Sequence, residues 1–86
     1  MAQISRFFGI IISMFYNEHS PPHFHAKYGE YEAEISIKDL QVLVGELPPK
    51  VLGLVVEWAS IHREELLKNW QNIEKLESLN KIEPLI

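Results

Sequence analysis

Along the first half of this chain, apolar and polar positions alternate with a period of two; from residue 49 onward they recur at helical spacing. Residues 4–16 are rich in isoleucine and phenylalanine and predict a first strand. Phe8, Ile10, Ile12 and Met14 then fall on one side, and Phe7, Ile11 and Phe15 on the other. An outer row of that kind should not face water, so Phe7, Ile11 and Phe15 are read as contacts to a partner, either a second copy or another small protein.

After a polar connection and the stiff pair Pro21-Pro22, residues 23–28 and 31–38 read as a hairpin closed by Gly29-Glu30, with glycine first, as a type II′ turn requires. The register follows from the turn. Tyr28 faces Tyr31, Ala26 faces Ala33 and Phe24 faces Ile35 on an apolar side. On the polar side Lys27 faces Glu32, His25 faces Glu34 and His23 faces Ser36. A short fourth strand covers residues 41–47.

Pro48-Pro49 opens a helix, since proline is tolerated in the first turn. At 100° per residue Val51, Val55, Trp58, Ala59, His62, Leu66, Trp70 and Ile73 form one stripe, which predicts one helix over 49–76 docked on the sheet. Gly53 within it suggests close approach to a strand. Residues 79–86, with Pro84, read as an extended tail. The expected architecture is one α+β domain over 1–86: a four-stranded, mainly antiparallel sheet over 4–47 with a long C-terminal helix on one face.

Composition narrows the function classes. The chain has 86 residues, a net charge of -4 and no cysteine, so neither a disulfide framework nor a thiolate zinc site is available. That fits a reducing cytoplasm. The apolar run after Arg6 lacks a cleavage site and is shorter than the roughly 20 residues of a membrane span, so no signal peptide or membrane anchor is expected. Residues 1–50 and residues 51–86 each hold four basic and six acidic residues. Without a basic stripe, nucleic-acid binding is disfavoured.

Chemistry concentrates where His19, His23 and His25 fall within seven positions. Side chains two apart on a strand point the same way, so His23 and His25 converge, with Glu34 as an oxygen donor beside His25 and His19 as a further ligand across the diproline. Zinc, nickel or manganese are the candidate ions. Two other readings stay open: plain half-exposed strand residues paired with Glu34 and Ser36, and metal-free acid–base chemistry on phosphate by His23, His25, Glu34 and Lys27. His62 lies on the apolar stripe, away from the others, and reads first as a buried histidine bonded to a backbone carbonyl.

The stretch Ile4 to Ile10, the string Pro21-Pro22-His23-Phe24-His25-Ala26-Lys27-Tyr28-Gly29, and Trp58, His62 to Leu66 and Trp70 resemble the family called domain of unknown function 4160. The resemblance covers nearly the whole chain and marks Pro22, His23, His25, His62 and Trp70 as characteristic positions. It implies a small prokaryotic cytoplasmic protein, often encoded beside a protein of family 2442 in a pair that looks like a toxin–antitoxin module. Together these readings favour a module component acting through protein contact on the uncovered sheet face. A small histidine- or metal-dependent nuclease is the alternative.

Overall fold

The first apolar run folds back on itself. In the computed structural model, which describes residues 2–86, β1 (Ala2–Phe7) and β2 (Ile10–Met14) pair antiparallel across a turn at Phe8-Gly9. Both turn residues have positive φ, 50° and 77°, the sign pattern of a type I′ hairpin turn. The turn replaces the single strand expected over 4–16 and resets its alternation. Phe7 now pairs with Ile10, and both are buried with Ile4, Ile12 and Met14, while Phe8 at the tip is exposed. Phe7 therefore belongs to the core and not to an outer contact row: its ring lies 5.4 Å from that of Trp58.

The second hairpin has the register read from its turn. In β3 (His23–Tyr28) and β4 (Tyr31–Ser36) every pair from Tyr28 with Tyr31 to His23 with Ser36 is in place. Gly29 has φ 57° and closes the turn. β5 (Val42–Glu46) adds to β4, giving five antiparallel strands in the order β1-β2-β3-β4-β5 where four were expected. Within β5, Gly45 has φ 81°, and a Cβ there would lie 2.1 Å from the Glu32 carbonyl oxygen, so only glycine fits.

Apart from partly exposed His62, the helical stripe from Val51 through Ile73 is buried as its spacing predicts, but two helices carry it: α1 (Pro49–Ile61) and α2 (Arg63–Glu74). The break is at His62, with φ -110° and ψ 24°. A single straight helix has one axis, whereas these two segments have different tasks. Trp58 packs against Phe7 and Phe24, and Trp70 reaches the start of β3, where its ring lies 5.3 Å from that of His23. Arg63 fixes the new direction by donating from Nε to the Ile37 carbonyl beyond the end of β4, at 3.1 Å. Gly53 does not mark close approach to a strand: it is exposed, with nothing within 4 Å of where its Cβ would be.

The segment after α2 runs back along β1. Ile82 N–H donates to the Ile4 carbonyl at 2.8 Å, and Lys81 Nζ donates to the Gln3 carbonyl at 2.9 Å. Buried Asn69 holds Asn80 by two hydrogen bonds, one in each direction, and Asn72 Nδ2 donates to the Ser78 carbonyl. Trp58 of α1 thus packs on the Phe24 side of the sheet, while Trp70 of α2 reaches His23 at the start of β3. Among the described residues, no helix is long and apolar enough to cross a membrane.

Candidate metal centre

Strand geometry supplies two of the ligands, and a loop supplies the third. His23 and His25 alternate out of β3 on one side, as the spacing requires. After β2 the chain turns at Asn17, which has φ 67°, a conformation asparagine tolerates better than most residues. The loop then brings Glu18 back over the sheet. One ligand atom each from Glu18, His23 and His25 lies within 4.8 Å of the others.

The rings are held in defined orientations. Pro21 can only accept through its carbonyl oxygen, so His23 donates from Nδ1, at 2.8 Å. That tautomer turns the Nε2 lone pair away from the loop and into the cluster. Trp70 packs against His23, and Phe15 meets the His25 ring edge-on at a centroid distance of 4.5 Å. Both histidines are more enclosed than half-exposed strand residues would be. The His23 side chain is 6% exposed and that of His25 13%.

What Nε2 of His23 meets is the informative point. It is buried and has no hydrogen-bond partner, yet carboxylate oxygens of Glu18 and Glu34 lie 3.4 and 3.6 Å away. A lone pair facing two carboxylates is unfavourable until a proton or a cation sits between them. Ligand atoms held tetrahedrally by one zinc ion at about 2.0–2.2 Å are roughly 3.4 Å apart, so these separations match a metal polyhedron better than a hydrogen bond. Glu18 also bonds directly to Nε2 of His25, and an ion among the three would replace that bond. Nδ1 of His25 is likewise buried without a partner, 3.7 Å from a Glu32 oxygen.

Burial works to raise the pKa of Glu18, but the His25 hydrogen bond and the charges on His25 and His23 outweigh it, and the net shift is downward from 4.5. A depressed folded-state pKa stabilises the fold above the unfolded value, and that contribution disappears as pH falls through the folded one. In metal-free protein, Glu18→Gln is therefore expected to lower urea-measured stability at neutral pH, with the gap closing once pH falls below 4.5. A gap unchanged down to acid pH would contradict this.

The other candidates separate. His19 is exposed and outside the ligand group, because neighbouring residues of an irregular loop share no face; it is Glu18, overlooked in the sequence, that turns inward. The one hint was its position between Asn17 and the histidines. Glu34 is paired with His25 in register, yet its carboxylate approaches His23. Lys27 is exposed and stands opposite Glu32 in register. His62 joins none of them: its Nδ1 lies 2.5 Å from a Glu65 oxygen, not against a backbone carbonyl, at the start of α2. Ile11 and Phe15 lie on the side of the sheet that carries His25 and Lys27, both only partly exposed, and Phe15 packs on the His25 ring. Beside His23 and Glu34, a shallow cleft of about 290 Å³ opens between residues 18–21 and the outer strand at Leu43 and Val44.

No curated protein and no solved structure matches this chain. One family model does: residues 9–71 match the domain of unknown function DUF4160. The match spans most of the chain, from the Phe8-Gly9 turn into α2, and takes in Glu18, His23, His25, Glu34, His62 and Trp70. The chain is a member of the DUF4160 family.

Proposed function

We propose that this protein is the metal-binding component of a two-gene module of the toxin–antitoxin kind, with Glu18, His23 and His25 as ligands of one divalent ion. The observation that carries the metal reading is the buried, unpartnered Nε2 of His23 facing two carboxylates at near-ligand spacing. The module context rests on the family resemblance, which also implies a protein partner and a cytoplasmic setting. Two imidazoles and a carboxylate suit zinc, nickel or manganese.

Glu18, His23 and His25 would hold the ion, and His23 and Glu18 also line the cleft. A divalent ion bound there would supply Lewis acidity beside the cleft. Glu34, at 3.6 Å from His23 Nε2, is placed to take a proton beside the ligands, and the Pro21 carbonyl keeps His23 in the ligating tautomer. This arrangement also favours a second reading, a metal-dependent nuclease, although Glu32, Glu34 and Glu46 crowd the same sheet region with negative charge.

Calorimetric titration of metal-stripped protein with zinc, nickel and manganese tests the proposal. Saturation at one ion per chain with release of protons is the expected result. No heat and no retained metal for any of the three would overturn it.

A further inference from the structure

The sheet has two edges, and the fold treats them differently. The β1 edge is partly covered, since the tail lies along it and donates from Ile82 N–H and Lys81 Nζ. Among the described residues, β5 pairs only with β4 and its outer edge has no strand beside it. All five residues of β5 are exposed, with Val44 at 58%; of the devices that blunt an open edge the strand has a bulge at Leu43 but no lysine or proline. An exposed apolar edge of this kind is a template for another strand.

That edge is also one wall of the metal cleft. The register passes from Glu34–Val44 to Ile35–Val42, so Leu43 is the extra residue of a bulge, and it lines the cleft together with Val44. Anything laid along β5 therefore runs along the outer wall of this cleft, with β5 and β4 between it and His23. The charge of this region selects among occupants. β3, β4 and β5 carry Glu32, Glu34 and Glu46 against Lys27 alone, and Glu18 adds to them. A polyanion is repelled. A second copy would bring Val42 and Val44 but also another Glu46 and no cation.

We infer that the β5 edge takes an extended polypeptide segment of a partner as a sixth strand, apolar on the face that Val42 shares with Ile35 and basic on the face that Val44 shares with Glu46, Glu34 and Glu32. This deepens the function proposed above, and rests on it only for the ion beside the strand. Main-chain hydrogen bonds to the β5 edge provide affinity, and alternate side chains provide selection.

The test uses the full chain and fluorescein-labelled model peptides, read by anisotropy with and without zinc. A short blocked peptide of alternating lysine and valine is expected to bind saturably. The same peptide N-methylated at alternate backbone amides keeps its charge but cannot form the ladder, and should bind about tenfold more weakly or worse. Val44→Lys and, separately, Leu43→Lys should weaken the parent peptide similarly; two variants guard against one misfolding.

Equal binding of the methylated peptide would overturn the inference, as would preference for a glutamate–valine peptide or for a single-stranded oligonucleotide. So would a dimer in sedimentation that Val44→Lys dissociates, which would assign the edge to a second copy. Peptide binding without any zinc binding would leave the sixth strand standing and remove the ion. Zinc binding without peptide binding would do the reverse.

Discussion

Replacing His23 or His25 by alanine is expected to weaken zinc binding by more than about 100-fold, the upper end of what losing a mere supporting residue costs at a metal site. Glu18→Gln should do the same, because the amide oxygen brings no charge. His19→Ala should leave affinity nearly unchanged, since His19 is exposed and stands apart from the ligand group. The contrast matters because the sequence favours His19 and the fold favours Glu18. Competition against a chromophoric chelator measures all four variants, with circular dichroism confirming the fold. Trp70 packs on His23, so His23→Ala also removes a core contact; His25 and Glu18 keep the test decisive if that variant unfolds. A loss with His19→Ala equal to that with His25→Ala would refute the assignment.

The second large effect lies in the core. Trp58 is fully buried, packs against Phe7 at 5.4 Å and Phe24 at 5.9 Å, and donates from Nε1 to the Glu83 carbonyl at 2.8 Å. Trp58→Ala should cost about 3–5 kcal/mol, from the lost burial and the cavity left behind. Small domains have only about 5–15 kcal/mol in total, so this variant should be largely unfolded well below the melting temperature of the parent. Trp58→Phe should cost much less, but it frees the Glu83 carbonyl and with it the end of the tail. Urea unfolding followed by circular dichroism gives both values, and a cost under about 1 kcal/mol for alanine would show that Trp58 is not the anchor of α1.

Local chemistry explains which elements were legible. Gly29 can adopt positive φ without strain, and a two-residue turn allows one register, so the β3–β4 pairing followed from the turn and from the charges at Lys27 and Glu32. Pro48-Pro49 marked the start of α1, and the apolar stripe marked its buried side. The β1–β2 turn was hidden because Phe8 is not a turn-forming residue and the run around it is apolar throughout. Gly9 was its single signal. Missing that turn reversed Phe7, since a hairpin changes which residues share a side.

The sequence by itself determined the α+β class, the paired projection of His23 and His25, and the buried stripe from Val51 to Ile73. Each of these depends on a short-range period or on one turn residue. Tertiary structure alone decided the break at His62, where the backbone leaves helical geometry between the segment that packs Trp58 on Phe7 and the one that packs Trp70 on His23. It also chose Glu18 over His19. That choice depends on the path of a loop without periodicity, fixed by the Asn17 turn and by the sheet onto which the loop folds. The separation of the open β5 edge from the covered β1 edge was likewise set by where the tail returned, through hydrogen bonds between residues nearly a chain length apart.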